Sequence, residues 1–316
     1  MTDDRVRVAA GTGLDHGGWR PDVDARMAVL EPPIRRLLDA NTEALTEADR
    51  ITLVPDVHYP FHPSTGMVTD PAVVGAIASY LRSRGDADLV VAGASGERIE
   101  FDRTLAYLGY PELLERFDAE PVDLVRDEPR TNEIVCVDGR SVPFSVPATL
   151  GESTVIVVPT LRPTEEGPVA GGMRTLAAAD ERTVDPDVTA VAATRVVDPV
   201  LSVLDATTAY GSDPHAANAI FAGSTPSVDA VGASLLEREI EDDRALELAF
   251  EDGPETITLE RVGAGADRVD VEDIRERLGG GELPPTGTMH PAVTAAYRLY
   301  ATVGRDAVPP QIEGEQ

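Results

Sequence analysis

Asp56 and His58 stand two residues apart in "VPDVHYPFHP" (54–63), a pairing of side chains suited to acid–base or metal chemistry. A carboxylate beside an imidazole can orient the ring and hold its proton, or share a cation with it. His62 lies four residues after His58, but that spacing puts two imidazoles on one face only within a helix. Pro60 and Pro63 exclude a helix here. No glutamate follows His58, so the zinc-peptidase pattern is absent as well. In an extended loop Asp56 and His58 can point the same way. The stretch reads as an acid–base pair, as a divalent-metal site, or as a proline-stiffened turn with hydrogen-bonded histidines.

Other candidates follow apolar runs. Gly93, Ser95 and Gly96 form the turn "GASGE", which can offer backbone N–H groups to an anion or be a plain tight turn. It is neither a nucleophile elbow nor a dinucleotide fingerprint. The "GTG" at 11–13 lacks the third glycine of that fingerprint. In "PTLRPTEEGPVAGGMRTLAAAD" (159–180), Arg162 and Arg174 are scarce positive charges that can fix a carboxylate or phosphate. The competing reading pairs them with Glu165 and Glu166 on the surface. Asp205 ends an apolar strand, and Asp229 falls in the first turn of a helix, where an acid either complements the dipole or holds a ligand. No spacing joins these acids, the histidines and Ser95 into a triad.

The elements that would carry these residues alternate between short β-rich runs and amphipathic helices. Strands are expected at 5–11, 51–55, 88–93, 121–125, 154–161, 199–206, 217–224 and 255–262. A helix is expected at 34–45, others at 226–239 and 271–278, and a short one around Arg174. Between the strands at 51–55 and 88–93, Thr69 or Asp70 caps a helix, Pro71 suits its first turn and Gly85 closes it. Residues 133–146 read as a hairpin around Asp138–Gly139. The expected fold is α/β: a mixed, mainly parallel sheet with helices on both faces and an inserted β-hairpin. Its α/β domain runs over 1–262 with a soft internal boundary near 125–150, and 263–316 forms a helical extension with a frayed tail. In such sheets ligands bind beyond the carboxyl ends of the strands, where Pro55–Asp56, the 93–96 turn, Pro159–Thr160, Asp205 and Gly223–Ser224 are all expected to fall.

The 316 residues carry 27 basic and 56 acidic groups, a net charge of −29, and every fixed positive charge is an arginine. The acids are spread along the chain, which suits a surface adapted to high salt. No basic stripe longer than Arg35–Arg36 is present, so a nucleic-acid partner is not expected. Cys136 is the single cysteine, which excludes an intrachain disulfide and a cysteine-ligated zinc or iron–sulfur cluster, and its apolar surroundings predict burial. Neither a signal peptide nor an apolar stretch of spanning length is read, so no membrane partner and a soluble, cytoplasmic protein are expected. Oligomeric state is not legible.

The ordered series "ITLVPD", "TDPAVVGAIASYLRSRGDADLVVAGASGE", "VIVVPTLRPT", "GGMRTLAA", "VLSVLDAT" and "FAGSTPSVDAVGASLLERE" resembles the domain-of-unknown-function-362 family over roughly residues 5–262. The resemblance implies that the family's Pro-Asn strand end falls on Pro55–Asp56. Its Thr-x-Pro helix start falls on Thr69 and Pro71, and its Gly-rich turn on Gly93, Ser95 and Gly96. Its late acids fall on Asp205 and Asp229. The family's Lys-x-His falls on Arg162 and Thr164 and its Lys-Asn on Arg174–Thr175, so that histidine and any lysine base are missing. The ferredoxin-like segment of many relatives is absent too. Residues 50–125 are also similar, more weakly, to the N-terminal half of the nickel-pincer lactate racemase family. The Gly-Thr-His of that family's turn falls on Gly96–Glu97, and the pincer cofactor is not expected.

These readings converge on an enzyme acting on a small anionic metabolite at a cleft between strand-end loops. Arg162 and Arg174 would hold the anion, and Gly93–Gly96 would supply backbone donors. Asp56, His58 and Asp205 would do acid–base or metal work, with a divalent metal as the one cofactor in view. The alternative is a non-catalytic partner in redox or cofactor assembly.

Overall fold

The structure, a computed structural model, describes residues 5–11, 22–39, 45–96, 99–164, 167–180, 185–251 and 256–283. In chain order these form β1 (Arg5–Ala10), α1 (Val23–Leu38), β2 (Arg50–Pro55), α2 (Pro71–Arg82) and β3 (Asp88–Gly93). Then come α3 (Phe101–Leu108), α4 (Tyr110–Phe117), β4 (Ala119–Asp123), β5 (Arg130–Val137), β6 (Arg140–Pro147), α5 (Ala148–Gly151) and β7 (Thr154–Val158). The chain continues through α6 (Gly171–Ala177), α7 (Pro186–Val197), β8 (Leu201–Ala206), β9 (Ala209–Tyr210), β10 (Pro214–His215) and β11 (Ala219–Gly223). It ends in α8 (Thr225–Leu235), α9 (Arg244–Ala249), β12 (Thr258–Arg261) and α10 (Val271–Leu278).

Eight strands make one sheet in the order β12-β1-β11-β8-β7-β2-β3-β4, in which β11 alone runs against the rest. From β2 the chain moves outward through β3 to β4, then returns on the other side of β2 as β7 and moves on to β8. The order therefore reverses between β2 and β7, whose register pairs Pro55 with Val158. That reversal opens the crevice in which open α/β sheets bind ligands.

Alternate residues of each strand feed opposite cores. Ile156 and Val158 pack with Leu30, Ile34, Val73 and Ile77 of α1 and α2. Val155 and Val157 pack on the far face with Met173, Val191, Val228 and Ile274 of α6, α7, α8 and α10. Both faces are thus covered, as a mainly parallel sheet requires. Ile274 and Leu278 place α10 in the same core as the strands. Among the described residues no helix is long and apolar enough to cross a membrane.

The α2 helix starts where its signals put it: Asp70 accepts from Ala72 N at 2.9 Å and Pro71 fills the first position. The β5–β6 hairpin turns at Asp138 (φ 51°) and Gly139 (φ 68°), the positive-φ pair of a tight hairpin turn. Two expectations change. The first helix begins at Val23 rather than 34 and holds Pro32 and Pro33 inside it. The buried stripe Met27, Leu30, Ile34 and Leu37 against α2 outweighs the hydrogen bonds those prolines forgo. Cys136 is exposed, not buried, because it faces out of the hairpin while Val137 faces the core. The expected tail from 284 onward lies outside the described residues.

Candidate functional site

The site forms because β2 and β7 end side by side. The amide of Asp56 donates to Val158 O (3.2 Å) and to Thr69 Oγ1 (3.0 Å), and Thr69 Oγ1 donates to Val158 O (2.5 Å). This clasp fixes the first residue beyond β2 against the last of β7. Arg162, four residues beyond β7, reaches back across the crevice. Its Nε donates to Asp56 Oδ2 at 3.0 Å, and its Nη2 lies 2.9 Å from the same oxygen. The other carboxylate oxygen, Asp56 Oδ1, lies 2.7 Å from His58 Nδ1. Exposure then divides the roles: the Asp56 side chain is 6% exposed and Arg162 11%, but His58 is 42% exposed.

Burial alone would raise the Asp56 carboxyl, but the Arg162 charge and the His58 contact overcome it and hold the group at about 2. Asp56 is therefore an anion at any ordinary pH and can only accept. His58 Nδ1 must carry the proton between them, which leaves the Nε2 lone pair free of this pairing. Arg162 Nη2, 3.3 Å from Nδ1, faces a second donor and contributes charge rather than a hydrogen bond. The result is an imidazole fixed in one tautomer by a buried carboxylate, itself anchored by a guanidinium.

Both Asp56 oxygens are taken, one by an arginine that a divalent ion would have to displace. Among the described residues no three His, Cys, Asp or Glu side chains gather as a metal would need.

The other predicted residues have partners of their own. Gly96 lies beside the trio, where a Cβ would stand 3.4 Å from His58 O. The Gly93 turn is filled from within: Ser95 N and Oγ donate to Asp123 at 3.2 and 2.6 Å, and Gly96 N donates to Ile99 O at 3.0 Å. At Gly93 a Cβ would stand 2.5 Å from Phe101 Cε2, so the glycine makes room for that ring. The amides of Ser95 and Gly96, expected to face an anion, are thus spent inside the protein.

Arg174 lies in a second buried cluster, with Nη1 and Nη2 on the two oxygens of Asp243 (2.8 and 2.9 Å) and Nη2 also on Asp187 (2.6 Å). Nearby, Asp229 accepts from Gly172 N and Met173 N at 2.7 and 2.9 Å, and burial raises its carboxyl to about 7. It binds the start of α6 rather than its own helix. Asp205, 1% exposed, accepts from Asp70 N (2.8 Å) and from Thr207 N and Oγ1 (2.9 and 2.7 Å). Burial and the neighbouring Asp70, which pairs with Arg26 at 2.6 Å, raise Asp205 to about 6. Glu165 and Glu166 lie outside the described residues.

The structure therefore unites Asp56, His58 and Arg162, with Gly96 alongside, and gives Ser95, Arg174, Asp205 and Asp229 other partners. The sequence reading missed Asp123 and Asp243, and gave Asp70 a capping role only, without its contacts to Arg26 and Asp205. Asp123 ends β4, so the strand-end rule that selected Asp56 would also have selected it.

A family model described as Domain of unknown function (DUF362) matches residues 51–234, more than half of the chain. The chain belongs to the DUF362 family. The match spans every candidate residue from Asp56 to Asp229 and supports the first resemblance; the likeness to the nickel-pincer family gains no support from it. No curated protein matches the chain significantly.

Proposed function

We propose that this DUF362 protein is an enzyme that moves a proton to or from a small anionic metabolite, with His58 Nε2 as the group that touches it. One observation carries the reading: a half-exposed imidazole whose Nδ1 lies 2.7 Å from a buried carboxylate held by Arg162, at the point where the strand order reverses. Asp56 orients the ring and stabilises the imidazolium formed when Nε2 takes a proton, and Arg162 keeps Asp56 ionised. Charge supports an anionic substrate. The trio is neutral with a neutral ring and gains one positive charge with a protonated one, so an anion meets less repulsion here than over the rest of a −29 chain.

A thermal-shift screen of carboxylates and phosphorylated metabolites in concentrated salt should find a ligand that stabilises the wild type. NMR in D2O should then show exchange of one of its carbon-bound hydrogens. His58→Ala should abolish the exchange, and Asp56→Asn should slow it by about 100-fold or more while the ligand still binds. Exchange that persists in His58→Ala, or a screen in which no ligand distinguishes that variant from the wild type, would overturn the reading.

A further inference from the structure

A cavity of about 540 Å³ opens between the turn after Arg162, the chain just beyond α8 and the stretch ending at Leu283. Pro163, Thr164, Gly167, Arg238, Asp242 and Glu282 are among the residues that line it. Its walls are fixed. Thr164 N donates to Gly167 O at 3.2 Å, and Gly167 lies so close to the Arg174 guanidinium that a Cβ would collide with it. Arg238 N donates to Ala233 O at 2.9 Å, and Gly280 N to Leu236 O at 3.4 Å. Arg174, with its two carboxylate partners, thus supports one wall of this cavity.

Arg238 differs from the chain's buried arginines. Arg26, Arg162 and Arg174 each pair with a buried aspartate. Arg238 is half-buried, lines the cavity, and forms no ion pair among the described residues. An unpaired guanidinium at a cavity wall is a carboxylate receptor. The same cavity presents Asp242 and Glu282, both exposed. A purely anionic guest would meet two carboxylates, and a purely cationic one would meet Arg238. A guest carrying both charges, with no net charge to be repelled by the acidic chain, satisfies all three.

We infer that this cavity binds a small zwitterion of the α-amino-acid class, its carboxylate on Arg238 and its ammonium on Asp242 and Glu282. The volume falls within the range of metabolite sites. All three charged residues lie beyond residues 51–234, while the wall formed by Pro163, Thr164 and Gly167 lies within the family match. The site does not depend on the role given to His58.

Calorimetry on the full chain, in the lowest salt that keeps it folded, tests this with the twenty common L-amino acids. The tightest binder is then compared with its amine and its carboxylic-acid analogues, each lacking one charge. At least one amino acid should bind saturably, and each analogue should bind at least tenfold more weakly. Arg238→Gln should weaken binding at least tenfold, the double variant Asp242→Asn/Glu282→Gln at least threefold, and His58→Ala should leave it unchanged. The proposal is overturned if no amino acid binds saturably, if the acid analogue binds as well as the amino acid, or if Arg238→Gln binds like the wild type. Loss in His58→Ala without loss in Arg238→Gln would place the ligand at the other site and also overturn it.

Discussion

The ion pairs at Arg162 and Arg174 are built alike, each from a buried guanidinium and a buried aspartate, yet they differ in what surrounds them. Around Arg174 the carboxylates of Asp243 and Asp187 face the guanidinium and Asp229 closes the start of α6, so the charged groups are turned on one another. Around Arg162 the carboxylate has a second neighbour, His58, whose ring stands half in solvent with one nitrogen outside the network. The same residue types therefore make a structural joint in one place and a potential proton-transfer group in the other. Exposure of a single imidazole separates them.

The largest test of that difference is on stability. Arg174→Met removes the only cation between Asp243 and Asp187 among the described residues, and should cost about 3–5 kcal/mol in denaturant unfolding. Arg162→Met should cost less, about 1–2 kcal/mol, because Asp56 keeps its hydrogen bond from His58 Nδ1 and is not left without a partner. Equal losses would show that the two pairs do the same work.

The next effect is in pH. Asp229 and Asp205 are raised to about 7 and about 6, so the folded chain holds protons on them that the unfolded chain has released. Their contribution is full below about pH 4 and is lost as pH rises through 6 to 7. Stability should fall from about pH 4 to about pH 7 by several kcal/mol, with Asp229→Asn removing the larger share. A stability that rises between pH 5 and 8 would contradict the buried placement of these two acids.

How much of this was legible depends on the range of the cause. Asp70–Pro71 and Asp138–Gly139 are local signals, and α2 and the hairpin form where those signals stand. The strand ends at Pro55 and Val158 follow from apolar runs, which is why Asp56, His58 and Arg162 could be nominated. Their meeting could not be read, because it depends on β2 lying next to β7, across a strand order set by long-range packing. The same limit explains Arg174 and Asp205: their partners, Asp243 and Asp70, stand 69 and 135 residues away. α7 was missed because its run of valines and threonines favours strands, and the core around Val191 holds it helical. Pro32 and Pro33 misplaced the start of α1 for the opposite reason, a strong local signal overridden by the stripe from Met27 to Leu37.

The smallest expected change is also the sharpest. His58→Ala should leave the unfolding free energy within about 0.5 kcal/mol of the wild type near neutral pH, because the ring is half-exposed and Asp56 keeps Arg162. Asp56 itself should show only at acid pH. Its carboxyl is held at about 2, below its ordinary value of 3.8, so its contribution is present above about pH 4 and is lost as pH falls towards 2. Asp56→Asn should remove that acid limb. The same variant should release the ring: nitrogen NMR of the wild type should find neutral His58 protonated on Nδ1, and Asp56→Asn should mix the two tautomers, since an amide can donate as well as accept. A wild-type ring protonated on Nε2 would mean that Nε2 has no lone pair to offer, and the difference drawn between the two arginine clusters would then rest on exposure alone.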